Sequence, residues 1–144
     1  MLVHQILKSK ATQGVETVLP KMPVLEAAEI LSSRRFGALV VSSDGELAMG
    51  ILSERDIVRE LGKRGAGCLT DEVAELMTRK VVSCSPDETA DSILEKMTEG
   101  RFRHMPVTQD GKMVGLISIG DVVKARLAEL SMEKDALEGM IMGH

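Results

Sequence analysis

The chain has 144 residues, 44% of them hydrophobic and 28% charged, with a formal net charge of −4. That length supports one compact body with an adequate core, and the acidic balance argues against a general nucleic-acid binder, which needs a basic face. With two Phe, no Tyr and no Trp, a bound base has no aromatic platform to stack on and must lie between aliphatic side chains and backbone.

Residues 1–14 lack the apolar run of a signal peptide, and no stretch approaches the length of a membrane span, so the expectation is a soluble, cytoplasmic protein. Glu16–Leu19 reads as a short strand ended by Pro20, and Pro23 suits a helix start. Val24, Ala27, Ala28, Ile30 and Leu31 then recur on one helical face. Ala38–Ser42 and Leu47–Leu52 read as strands joined through Asp44-Gly45, a pair that tolerates the positive φ of a tight hairpin. A helix follows over about Glu54–Lys63 and stops at Gly65-Ala66-Gly67, and Asp71–Lys80 reads as a packed turn of helix.

The order then starts again. Val81–Cys84 reads as a strand, and Thr89 as the N-cap of a helix carrying Ile93, Leu94 and Met97. Met105–Thr108 and Met113–Ile117 are strands joined through Asp110-Gly111. A last helix runs from about Ile119 well past Leu130. On it Val123, Leu127, Leu130, Leu137 and Ile141 share one stripe, which suits equally a tail covering its own core and a dimer contact. Cys68 and Cys84 have no CxxC spacing and no neighbouring His, and are read as buried, inert thiols.

Val15–Arg59 laid over Val81–Lys124 brings the same landmarks into the same order. Pro20 falls on Pro86, Arg35-Phe36 on Arg101-Phe102 and Asp44-Gly45 on Asp110-Gly111. After one extra residue in Leu47-Ala48-Met49, Gly50 falls on Gly115, Ser53 on Ser118 and Asp56 on Asp121. A unit of this length cannot bury its apolar face alone, so two copies pack together. The expected layout is an N-terminal segment (1–14), a first repeat (15–65), a connection (66–80), a second repeat (81–131) and a helical tail (132–144).

The recurring signature is Gly50-Ile51-Leu52-Ser53-Glu54-Arg55-Asp56 and Gly115-Leu116-Ile117-Ser118-Ile119-Gly120-Asp121. It is a strand running into a helix. Ser at the junction caps the helix beside unpaired N–H groups that favour an anion. Asp three residues on offers a carboxylate that accepts two hydroxyl protons, as a ribose diol supplies. Either copy alone is what ordinary helix capping looks like, but capping does not require the same Gly, Ser and Asp twice. No His/Cys/Asp/Glu set has metal-ligand spacing, there is no phosphate-binding loop of the P-loop type, and no Ser/His/Asp grouping stands out. The ten Met are read as core filler, and His4 and His144 as terminal residues without a specific role.

The duplicated order resembles the cystathionine-β-synthase (CBS) domain pair, or Bateman module, over about residues 15–130. The resemblance is carried by Val15-Glu16-Thr17-Val18-Leu19-Pro20, Val81-Val82-Ser83-Cys84-Ser85-Pro86, Arg103-His104-Met105-Pro106-Val107 and both Gly…Ser-x-x-Asp blocks. It implies an α/β (α+β) fold of two β-α-β-β-α repeats packed sheet to sheet with pseudo-twofold symmetry. Two clefts would take adenosyl ligands such as AMP, ADP, ATP, S-adenosylmethionine or NAD(H). Asp56 and Asp121 would hold ribose hydroxyls, Ser53 and Ser118 would face ribose or phosphate, and Thr17 and Ser83 would line the adenine end. Ile51, Leu52, Leu116 and Ile117 would sandwich the base. Arg103 and His104, with Met105 and Pro106 in the same motif, match positions facing phosphate. His104 would add a pH handle near its ordinary pKa of about 6.5.

Gly37 and Ala38 hold the matching places in the first repeat and carry no charge, while Arg55 stands where the second repeat has Gly120, so the clefts are expected to differ. The implied protein is a stand-alone bacterial or archaeal sensor without catalysis or catalytic cofactor. It would be a homodimer that passes ligand occupancy to its own assembly or to a regulated partner protein, with no nucleic-acid or membrane partner. Two alternatives remain: a structural dimerisation module with degenerate clefts and, with less support, a small nucleotide-processing enzyme.

Overall fold

A strand cut short by proline, followed by an amphipathic helix, opens the first repeat. In the computed structural model, which describes residues 1–10 and 15–141, helix α1 (Val3–Ser9) precedes it. The repeat consists of β1 (Thr17–Val18), α2 (Val24–Arg34), β2 (Ala38–Val41), β3 (Gly50–Ser53) and α3 (Glu54–Arg64). A 3-10 turn (Gly65–Thr70) and α4 (Val73–Leu76) lead to α5 (Ala90–Gly100), β4 (His104–Gln109), β5 (Lys112–Ser118) and α6 (Ile119–Ile141). His144 lies outside the described residues. Pro23 is the N-cap residue of α2. Thr89 caps α5 through its side chain, which accepts the Ser92 N–H at 3.2 Å. Both α2 and α5 end on an arginine in the left-handed region, Arg35 and Arg101, each with φ 56°.

β1 pairs parallel with β2, and β2 antiparallel with β3. In the second repeat β4 and β5 form an antiparallel pair. The expected strand at Val81–Cys84 does not form: only Cys84 pairs, in a single parallel bridge with Val107. The cause lies on the neighbouring strand. In the first repeat the Val40 N–H donates to Glu16 O (3.4 Å). The residue matching Val40 is Pro106, which has no N–H to give.

Asp110 (φ 54°) and Gly111 (φ 80°) make the tight turn expected between β4 and β5. The Asp44-Gly45 turn is different. Only Gly45 takes positive φ, and Asp44 Oδ1 accepts the N–H groups of Glu46 (2.8 Å) and Leu47 (2.9 Å). That holds an open loop, so the return strand begins at Gly50 and not at Leu47. The extra residue in Leu47-Ala48-Met49 is absorbed there.

The described residues form two apolar cores, and each includes a helix from outside its own repeat. Val73, Leu76 and Met77 of α4 and the residue after it pack with Val18, Val24, Leu31, Leu39, Leu52 and Ile57. Val3 and Ile6 of α1 pack with Ile93, Met97, Met105, Val107, Ile117 and Val122. The same hydrogen bonds fix both helices: Val3 N–H to Glu88 O (2.9 Å) matches Val73 N–H to Met22 O (2.8 Å), and His4 N–H to Pro86 O matches Ala74 N–H to Pro20 O. The internal correspondence therefore continues upstream, with Val3, Ile6 and Lys10 answering Val73, Leu76 and Lys80 at one constant offset.

Cys68 and Cys84 are buried and free, and burial pushes the Cys84 thiol up to about 12. In α6 only Val122 and Ala125 are buried. The predicted stripe is exposed, Leu127 by 62%, Leu137 by 59% and Ile141 by 83%, so the tail does not cover its own core.

Candidate ligand cleft

Each β-strand of the signature ends on a serine that starts a helix, and the two junctions share one hydrogen-bond scheme. Ser53 Oγ accepts the Asp56 N–H (3.3 Å), and Asp56 Oδ2 accepts the Ser53 N–H (2.8 Å). Ser118 and Asp121 repeat this at 3.2 and 2.9 Å. These reciprocal contacts are capping boxes.

Beyond the cap the two carboxylates part ways. Asp56 is buried, and its Oδ1 accepts from Arg59 at 2.7 Å and from Thr78 Oγ1 at 3.5 Å. Ile51 and Thr78 exchange both backbone hydrogen bonds alongside, at 3.0 and 2.8 Å. Asp121 is only half-buried and opens on a cavity of about 940 Å3, the size of a small-molecule site. Lys10 Nζ stands 2.9 Å from Asp121 Oδ2 and donates to Leu116 O at 2.8 Å.

The cavity lies between the repeats. Glu16 and Arg34–Ala38 line it from the first, His104, Leu116, Ser118, Asp121 and Lys124 from the second, and Ile6, Ser9 and Lys10 from α1. Arg34 is paired with Glu16 at 2.8 Å. Gly37 faces the His104 ring: a Cβ there would sit 3.1 Å from Nε2. Burial pushes the Asp121 carboxyl up, but the Ser118 N–H and the Lys10 ammonium outweigh it and hold the group below its ordinary value. Burial also pushes His104 below its ordinary value, Lys10 adds to this, and Asp121 opposes it. The pH handle expected at an unperturbed histidine is thus displaced to the acid side.

Of the residues singled out by sequence, Gly37, Ala38, His104, Leu116, Ser118 and Asp121 come together in this cavity. Leu52, Met105 and Ile117 are fully buried in the cores, and Pro106 is buried in β4. Strand alternation leaves Ile51 and Leu116 on the opposite face from Leu52 and Ile117. Ser53, Arg55 and Asp56 sit at the other junction, Thr17 in β1, and Ser83 and Arg103 are exposed and not among the residues lining the cavity. Sequence reasoning missed Lys10, Arg35, Phe36 and Lys124, and Phe36 puts an aromatic ring at a cavity that the composition was expected to leave without one. The upstream correspondence of Lys10 with Lys80 and the recurrence of Arg35 at Arg101 were the available signals.

A carboxylate, a hydroxyl and several cations around one cavity can hold a polyol bearing an anion. Among the described residues no group of three or more His, Cys, Asp or Glu could hold a metal ion, and no helix is long and apolar enough to cross a membrane.

Two α+β repeats of like build enclosing a polar cleft define a tandem-repeat module. The sequence matches the CBS domain family twice, over residues 5–63 and 73–128, and the chain belongs to that family as a CBS pair. A CBS-domain-containing protein of Agrobacterium tumefaciens has a similar structure, with 43% identity and a TM-score of 0.82 over 87% of this chain and 92% of that one. The CBS domain pair of protein MJ0100, solved with 5′-methylthioadenosine and S-adenosyl-L-methionine, gives 25% identity and a TM-score of 0.78 over 90% and 98%. The mitochondrial CBS domain-containing protein CBSX3 of Arabidopsis thaliana is 35% identical over 83% of this chain, which spans 60% of that protein's length.

Proposed function

We propose that this chain is a non-catalytic regulatory module whose inter-repeat cleft takes an adenosyl ligand, AMP, ADP, ATP or NAD(H), and that it works in the cytoplasm. The observation that carries this is Asp121, a half-buried carboxylate at the start of α6 facing a cavity of about 940 Å3 lined by both repeats. Asp121 takes the ribose diol, Ser118 and His104 flank it, and Leu116 with backbone walls off the base. The adenosyl compounds bound by the similar MJ0100 pair support the ligand class. Because the cleft is shared by α1, the first repeat and α6, a ligand that fills it changes how these elements pack. That change reaches the exposed stripe of α6, where we place a homodimer contact or a partner protein.

A thermal-shift panel of AMP, ADP, ATP, NAD, NADH, S-adenosylmethionine and adenosine tests the reading. Stabilisation by an adenosyl compound is expected, and silence across the panel overturns it. A structural dimerisation module is the second reading, favoured by the saturated Asp56 at the other junction; dimerisation with no response to any panel member would select it.

A further inference from the structure

We propose that Lys10 is a specificity-determining residue of this cleft: it selects ligands with a 5′-phosphate by exchanging its ion pair with Asp121 for one with the phosphate. The inference rests on the reading of the cleft as an adenosyl site.

Lys10 occupies one of the two Asp121 oxygens that a ribose diol would use, together with the Leu116 carbonyl. Its ammonium is 2.9 Å from Asp121 Oδ2 and bonds Leu116 O at 2.8 Å. Its backbone is the C-cap of α1, which Val3 and Ile6 anchor in the second core. A ligand whose diol spans both oxygens of Asp121 must share Oδ2 with this ammonium or displace it. A neutral nucleoside offers the ammonium no opposite charge in return, and separating a half-buried ion pair is costly. A sulfonium ligand adds a positive charge beside it. A phosphate supplies a new acceptor of opposite sign, and the flexible four-carbon stem with three donors can turn to it without moving the backbone.

The surroundings favour the same class. Lys10, Arg34, Arg35 and Lys124 line the cavity against the carboxylates of Glu16 and Asp121, a positive surplus in a chain of net charge −4. The other junction shows that the fold does not need this pair. Lys80, the counterpart of Lys10, is exposed, and Asp56 takes Arg59 and Thr78 instead.

Calorimetry with AMP, adenosine, 5′-methylthioadenosine and S-adenosylmethionine on the wild type, Lys10→Met and Lys10→Arg tests the inference, with melting curves to establish that each variant folds. The wild type should bind AMP roughly ten- to a hundredfold tighter than adenosine, the worth of one charge-assisted hydrogen bond. Lys10→Met should remove most of the preference for AMP while leaving adenosine as tight or tighter. Lys10→Arg should keep the preference for AMP. An unchanged AMP preference in Lys10→Met, or an equal loss of AMP and adenosine, overturns the inference. A wild type preferring S-adenosylmethionine overturns it too but leaves the adenosyl reading standing, and a wild type binding none of the four removes both.

Discussion

Leu7 and Gly115 interlock: a Cβ on Gly115 would stand 2.8 Å from both methyl carbons of Leu7, so the missing side chain at position 115 lets Leu7 of α1 seat this closely on β5. Gly50, its counterpart, gives the same room to the segment after α4, where a Cβ would meet Met77 Sδ at 2.6 Å and Thr78 O at 2.8 Å. The glycine of the repeated signature is thus a docking slot for a segment from outside the repeat, while Ser and Asp of the same signature do the capping.

Gly50→Ala should destabilise the protein by about 1–3 kcal/mol, the usual cost of overpacking, because the backbone carbonyl of Thr78 cannot turn aside. Gly115→Ala should cost less, since the ends of Leu7 are flexible. Leu7→Ala should relieve part of that cost, so that the Leu7→Ala/Gly115→Ala pair is more stable than the sum of the single changes. Urea unfolding of all four variants measures this, and strict additivity would show that the two residues do not interlock.

Asp56 and Asp121 should separate stability from binding. Asp56→Ala removes a buried carboxylate that caps α3 and pairs with Arg59, and should cost about 1–3 kcal/mol. Asp121→Ala should alter the ligand-free melting temperature less and abolish most of the shift caused by AMP. A bound ligand adds about 2.7 kcal/mol at a hundredfold excess over Kd, which melting curves resolve. An AMP shift surviving in Asp121→Ala would take the ribose away from this carboxylate.

His104 gives the ligand-free protein a pH dependence of definite sign. Burial, the first cause, and Lys10 hold its folded pKa below the ordinary value of about 6.5. The unfolded chain therefore takes up the proton first as pH falls. Stability is complete above about 6.5 and drops as pH passes from there down through the folded value. His104→Gln should remove this component from urea-denaturation midpoints measured across that window. An identical slope in the variant would assign the dependence to other groups.

Replacing Leu130 and Leu137 by Glu should break self-association through α6. Both side chains are about half exposed or more, 49% and 59%, so the substitutions leave the two cores intact. Sedimentation should find a dimer for the wild type and a monomer for Leu130→Glu/Leu137→Glu with unchanged thermal stability of the monomer fold. A wild-type monomer at micromolar concentration, with and without AMP, would remove the dimer.

Much of the framework was legible from local chemistry. Thr89 caps α5 as its side chain and the following apolar period indicate, and Asp110-Gly111 makes the tight turn that two residues tolerant of positive φ allow. The Ser and Asp pairs fall at the strand-to-helix junctions where the repeated signature places them. The failures share a different character. Val81–Cys84 has strand composition, yet its pairing depended on an N–H that Pro106, some twenty residues away, does not possess. Asp44-Gly45 has hairpin composition, yet the inserted residue after it opened the loop.

The sequence by itself determined the duplication, the order of most strands and helices and the two capped junctions, because these depend on contacts between residues near in the chain; helix α1 and the missing strand at Val81–Cys84 were not among them. Only the tertiary structure decided that α1 and α4 pack into each other's neighbouring repeats. It also decided that Asp56 is closed off while Asp121 faces a cavity, and that Lys10 is the cation beside it. Two carboxylates in the same local motif differ there because their further partners arrive from distant segments, and hydrophobic burial, which has no direction along the chain, sets where those segments dock.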